Sequence, residues 1–270
     1  MRASGAAVYL VGVVLPLAAT TLIALRYALG GFTDDGFTLN HFAAALDVRF
    51  LRSVGYTVAI AASSTLAALC LALGVVRAFG AVRALQGWML IPLTLPPVVV
   101  AFFVYQFLSG SGVVSRIAHS VGLIDDSLEF VALVNDPWGV GTALAHFMLV
   151  FPALVLYLVY LRSRPEVEAL ETLGQSLGAS ANDRWKRIVR PVVVQRSLPL
   201  VMVFFIFTLG SYEVANLLGA QRIQAVVPFI ADRISGYNLA EVPQGYALAL
   251  VYTCFIAAVM AFVSKRMWHG

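Results

Sequence analysis

Six apolar stretches, at 7–25, 54–76, 87–108, 138–161, 198–218 and 244–264, leave this chain few ways to fold. Each is about 20 residues of mostly uncharged sequence, enough for a helix to cross a bilayer core ~30 Å thick. Backbone polar groups in lipid have no water to bond, so segments of this length cross as α-helices. Composition agrees: 60% of the 270 residues are hydrophobic and 12% are charged, against roughly a quarter charged in ordinary soluble domains. The expectation is an all-α polytopic membrane protein, a single transmembrane domain over 1–270. The first stretch follows a basic residue, as a signal peptide would. Its run of about 19 residues is longer than the ~7–15 of a signal h-region, and no A-x-A site follows, so it reads as a retained first span.

The placement of charge says more than the net +4, which gives no reason to expect nucleic acid as a partner. With the N-terminus inside, the inner segments hold Arg2, Arg77, Arg83, Arg162, Arg164, Arg184, Lys186, Arg187, Arg190, Arg196, Lys265 and Arg266. The outer loops hold only Arg49, Arg52, Arg116, Arg222 and Arg233, and Arg26 can snorkel to the headgroups at the end of the first span. The positive-inside rule therefore puts both termini in the cytoplasm. Acidic residues lean outward (Asp34, Asp35, Asp47, Asp125, Asp126, Glu129 and Asp136). Cys70 and Cys254 lie in apolar runs without metal-ligand spacing and read as buried, reduced thiols. No metal site is expected.

The longest inner loop, 162–197, contains GQSLGASANDRWKRIVRP at 174–191. Pro165 suits the first turn of a helix, and Glu166, Glu168 and Glu171 load its N-terminal half, where the helix dipole favours negative charge. Leu170, Leu173 and Leu177 form an apolar stripe, and Gly178 can end the helix with a positive φ. Ser180 and Asp183 then make a variant capping box that starts a second short helix. Ala181, Trp185, Ile188 and Val189 share one of its faces, Asp183, Lys186, Arg187 and Arg190 the other, and Pro191 closes the unit. Such a helix either lies on anionic lipid or docks on a cytoplasmic partner.

This cassette resembles the EAA loop of bacterial ABC-importer permeases, whose pattern is approximately E-A-A-x-x-x-G with a following hydrophobic residue and a terminal proline. Leu177, Gly178, Ala179 and Ser180 match its core, Trp185 takes the aromatic position, Ile188 the aliphatic one, and Pro191 falls thirteen residues after the glycine. Thr172, Leu173 and Gly174 stand where Glu-Ala-Ala would be, with Glu171 one place early. FLRSVGYTVAIAASSTLAALCLAL at the second span and LGSYEVANLLG at the fifth are similar to permeases of the spermidine/putrescine type.

The resemblance implies a type I importer permease with six spans in the bacterial cytoplasmic membrane. Its partners would be two ABC ATPase subunits, a second permease subunit (a distinct one favoured over a second copy), an extracytoplasmic solute-binding protein and membrane lipid. Gly178, Ala179, Ser180, Asp183, Arg184, Trp185, Lys186, Arg187, Ile188 and Pro191 would couple to the ATPase, with Trp185 as anchor and Arg184, Lys186 and Arg187 as a charged rim. ATP and Mg would sit on the partner subunits. This chain carries no G-x-x-x-x-G-K-[ST] loop and is not expected to be an enzyme or to bind a cofactor. The solute would be small and polar, polyamine-like or related.

Ionisable groups inside spans are costly and point to function. Glu213 shares a stripe with Gly210 and Asn216, either lining a solute path or pairing with an arginine near the outer interface. His146 either faces the same cavity or bonds a neighbouring carbonyl. Pro92, Pro96 and Pro97 put a kink, fixed or hinged, in the third span. Tyr105, Gln106 and Tyr212 are further path candidates, and 222–243, with Tyr237 and Asn238, is a candidate surface for the binding protein. A proton-coupled secondary transporter is the rival reading and a membrane enzyme a weaker one, since neither H-E-x-x-H nor G-x-S-x-G occurs. Neither explains the cassette.

Overall fold

The computed structural model describes residues 10–30, 36–79, 83–126, 130–220 and 222–268, and these are helical with no strand among them. Residues 7–9 of the expected first span lie outside that set, as do Arg2, Asp34, Asp35 and Glu129. Six helical stretches are long and apolar enough to cross a membrane: Leu10–Gly30, Val48–Phe79, Pro97–Ser120, Val140–Arg162, Ala181–Leu209 and Val242–Phe262. The chain divides into two compact units, one from 1–55 and 226–270, the other from 56–225.

The first unit contains α1 (Leu15–Gly30), which continues a π-helical turn at Leu10–Val14, then α2 (Asn40–Ala45), the start of α3 (Val48–Phe79), α12 (Val226–Ser235) and α13 (Val242–Trp268). Helix α1 packs along α13, with Tyr27 stacked on Tyr246 at 5.1 Å. Asp47 caps α3: its Oδ1 accepts from the Phe50 N–H at 2.8 Å, satisfying one of the first-turn donors. Its other oxygen accepts from Arg233 at 3.3 Å, and that guanidinium also donates to Gln244 and lies 4.8 Å from the Phe229 ring centre.

The second unit holds the rest of α3 with α4 (Arg83–Leu93), α5 (Pro97–Leu108), α6 (Val113–Ser120), α7 (Val140–Arg162), α8 (Pro165–Ser176), α9 (Ala181–Arg184), a π-helical turn at Trp185–Val189, α10 (Arg190–Leu209) and α11 (Glu213–Leu218). Helix α7 carries the core. Val150, Leu154, Val155, Leu158 and Val159 are fully buried, in one cluster with Ala68, Ala72 and Val76 of α3. The small residues of α3 allow close helix approach, which is how packing is gained where lipid offers no hydrophobic drive. A second cluster joins Val100, Ala101 and Val104 of α5 to Val214 and Leu218 of α11.

Four expectations need correcting. The third span is not one kinked helix over 87–108. Helix α4 stops at Leu93 and α5 restarts at Pro97, because Pro96 is extended (ψ 147°) and Pro97 takes the first helical turn, where its missing N–H costs nothing. The apolar stretch then runs on past a turn at Ser109–Gly112 to Ser120. The fifth span stops at Leu209 with Gly210 as its cap, so Glu213 and Asn216 sit on a separate short helix and not on a stripe with Gly210. Pro191 does not close the cassette. The Arg190 N–H reaches back five residues to the Trp185 carbonyl, and this widened turn relieves the clash that Pro191 would make with the Arg187 carbonyl, so the helix continues into α10. Cys70 and Cys254 are exposed on helix surfaces, not buried; an apolar thiol tolerates lipid as well as it does a core.

Gly139 is a point where backbone freedom decides the packing. It starts α7 at φ +69°, and a Cβ there would lie 2.7 Å from both Ile60 Cδ1 and the Tyr56 hydroxyl. Gly139→Ala is expected to destabilise the protein by about 1–3 kcal/mol, the cost of a non-glycine in the left-handed region. Thermal unfolding in detergent, followed by intrinsic tryptophan fluorescence, would show the lower midpoint; an unchanged midpoint would contradict this packing.

Candidate functional site

The cassette is built from its glycine outward. Gly178 has φ +78° and ends α8 in a Schellman turn: the Ala179 N–H bonds the Gly174 carbonyl and the Gly178 N–H bonds the Gln175 carbonyl, both at 3.0 Å. Ser180 caps α9, its hydroxyl oxygen accepting from the Asp183 N–H at 3.1 Å while its proton goes to the Asp183 carboxylate. Asp183 also faces Arg187 one turn on, at 3.9 Å. Gly174, in the place of an expected alanine, is buried, and a Cβ there would come within 2.9 Å of Ile188 Cδ1. The departure from Glu-Ala-Ala thus lets α8 lie close against the π-turn.

Trp185 is where the structure departs most from the sequence reading. Its ring is only 8% exposed and belongs to the same core as Val76, Leu158, Leu161, Val167 and Val189. It is not an anchor offered to a partner. Of the face shared by Ala181, Trp185, Ile188 and Val189, Trp185 and Val189 pack into the core of the chain's own helices, while Ile188 is half-buried and Ala181 exposed. The exposed apolar group is instead Leu177, 78% exposed beside the Schellman turn, with Leu173 and Leu170 on the helix before it. Lys186, Arg187 and Arg190 are exposed beyond it, as are Ser180 and Pro191. Between them lies a groove of about 410 Å³ lined by Gly174, Leu177, Ala179, Asp183, Arg184, Arg187 and Ile188. Arg184 is fixed in its wall by a 2.7 Å bond from Nη1 to the Ala179 carbonyl, and its buried Nε has no partner among the described residues.

The cassette is strapped to the spans by arginines. Arg162, the last residue of α7, donates to the Val76 carbonyl at 2.6 Å, lies 3.7 Å from the Glu171 carboxylate and sits 5.7 Å from the Trp185 ring centre. Arg77 donates to the Asn182 side-chain oxygen at 3.2 Å, and Arg196 pairs with Glu166 at 2.7 Å. The Arg196 guanidinium, with Arg164 beyond it, holds the Glu166 carboxyl below the ordinary carboxylate range.

The membrane-embedded candidates do not form one site. Glu213 and Asn216 are both exposed on α11, on the face away from Val214 and Leu218, and Tyr212 and Gln106 are exposed as well. No hydrogen bond or ion pair joins these four side chains among the described residues. Pro96 is exposed and Pro97 half-buried at the α4–α5 break. His146 is 1% exposed, and its Nδ1 donates to the Thr142 carbonyl at 2.8 Å, which leaves Nε2 as a bare acceptor. The Thr142 hydroxyl one turn earlier and the Tyr56 hydroxyl beside Gly139 also lack partners among the described residues. Sequence reasoning missed both; Thr142 precedes His146 at helical spacing, which was the available signal.

Comparison with solved structures places this architecture. The chain superposes with a TM-score of 0.69, at 19% sequence identity, on a chain from the crystal structure of a bacterial ABC transporter involved in the import of the acidic polysaccharide alginate. The match covers 97% of this chain and 91% of that one. The two share a fold. No family model matches the sequence, and no curated protein does.

Because Trp185 is core, Trp185→Ala is expected to cost about 3–5 kcal/mol, as large-to-small core truncations do, and to lower the yield of folded protein in detergent. Arg187→Glu, on the exposed face, should leave the melting temperature within a degree or two of wild type. The opposite ranking of the two in a thermal melt would return Trp185 to the surface.

Proposed function

We propose that this chain is a transmembrane subunit of an ATP-driven ABC importer. Likeness of fold to the alginate-importer chain over nearly the full length carries the reading. The cassette supports it: a turn with an exposed leucine, flanked by a groove and cations, which the positive-inside count assigns to the inner end of the spans. Both termini then face the cytoplasm of a bacterium, and the chain lies in its inner membrane.

In this reading cytoplasmic ATPase subunits, which hold ATP and Mg, dock at Leu177–Ala179 and the groove wall of Arg184 and Arg187. A leucine on a helix end is a natural apolar plug for a partner cleft, and a carboxylate from the partner matches the two guanidiniums. Lys186 and Arg190 steer the encounter more than they hold it. A second permease subunit, a different chain by the spermidine/putrescine-type pattern, completes the path. A solute-binding protein delivers a small polar solute to the outer face, where 222–243 presents the fully exposed Tyr237. Glu213 favours a cationic, polyamine-like solute, whereas the transporter matched by fold handles an acidic polymer.

The test is purification from native membranes by a C-terminal tag. An ATPase subunit should accompany the wild-type chain. Leu177→Asp should reduce the recovered ATPase at least tenfold, about 1.4 kcal/mol, without changing the melting temperature of the tagged chain. If no ATPase is recovered, and solute uptake survives ATP depletion but collapses with the proton gradient, the chain is a secondary transporter.

A further inference from the structure

One guanidinium holds together four elements. Arg162 closes α7. Its Nη1 bonds the carbonyl of Val76, one of the last four carbonyls of α3, which have no partner within their own helix. Its Nη2 faces Glu171 of α8, and its Cζ lies over the Trp185 ring of the π-turn. Both carboxylate and guanidinium are mostly withdrawn from solvent, with side chains 28% and 22% exposed, so their attraction is screened less than that of surface pairs. Arginine suits this place because its five donors are fixed in one plane, so that a bond to a carbonyl and a stacking contact impose a common orientation.

We propose that Arg162 is a joint through which movement of the cassette 165–189 reaches the C-terminal ends of α3 and α7. It is a positioning residue that touches neither solute nor nucleotide. The inference rests on the importer reading, in which the cassette receives the motion of an ATPase. Leu177 and the groove are at the receiving end of that unit, and Arg162 is at the other. Any displacement of α8 or of the π-turn pulls on Glu171 or Trp185, and the planar fork passes it to the C-terminal ends of α3 and α7 together. The Arg77 to Asn182 bond and the Arg196 to Glu166 pair are parallel straps, both exposed to water. Without Arg162, the Val76 carbonyl and Glu171 lose their shared partner, and α8 loses this tie to the C-terminal ends of α3 and α7.

The chain itself supplies a reporter. Its two cysteines are both exposed, and Cys70 lies on α3 about a turn and a half before Val76. In a Cys254→Ala background, a nitroxide on Cys70 reads the motion of α3 in the purified native complex. Spectra are recorded with and without ATP, Mg and vanadate. The wild-type complex should show a nucleotide-dependent change in line shape. Arg162→Met, which keeps the apolar stem, should lose most of that change while ATPase remains bound and its basal hydrolysis stays within twofold. Arg162→Lys, able to reach one acceptor but not to stack as a plane, should retain part of it. Should Arg162→Met fail to fold, Glu171→Gln should lose at least half the amplitude in a complex of wild-type melting temperature.

A full nucleotide response in Arg162→Met, or in Glu171→Gln where that variant stands in, overturns the proposal. So does a wild-type Cys70 that does not sense nucleotide. Absence of any ATPase from the wild-type preparation is a different failure: it removes the importer reading, and the joint with it.

Discussion

Burial of Trp185 fixes what the cassette presents. With the indole in the core formed by α3 and α7, the π-turn cannot rotate, and the opposite face must carry Lys186, Arg187 and Arg190 outward. The same packing sets the register of α8, because Gly174 permits contact with Ile188, and so it positions the Schellman turn that exposes Leu177. The cassette is therefore part of the folded body of the second unit. A partner pushing on Leu177 pushes on something rigid. That is a requirement for transmitting motion, and a solvated loop would not meet it.

The helical class and the count of six spans were legible because the bilayer imposes a length, and a run of about 20 apolar residues has few alternative explanations. The glycine break at 178 and the Ser180 cap were legible because each depends on local backbone chemistry. The interruptions within spans were not. Pro92, Pro96 and Pro97 are compatible with a kinked helix or two helices, and the outcome depends on what receives the ends. Continuation through Pro191 depends on a π-turn, which has no residue signature. Trp185 shows the limit of periodicity most clearly. The spacing of Ala181, Trp185, Ile188 and Val189 identified a shared apolar face, but one sequence cannot say whether that face meets a partner or the chain's own core.

The polar candidate groups divide by environment. Glu213, Asn216, Tyr212 and Gln106 are exposed. His146 and Thr142 are enclosed, and the His146 Nδ1 bond to its own helix holds the ring in one tautomer. A histidine tied down in this way belongs to the helix packing first. Glu213 makes no ion pair among the described residues.

The central claim is that the Leu177–Gly178 turn meets an ATPase. A photoreactive benzophenone amino acid at position 177, activated in native membranes, tests it without purification or knowledge of the solute. The account predicts an adduct between this chain and a nucleotide-binding subunit, absent when the same group replaces Trp185. Adducts with lipid alone, or an equal yield from the two positions, would contradict it.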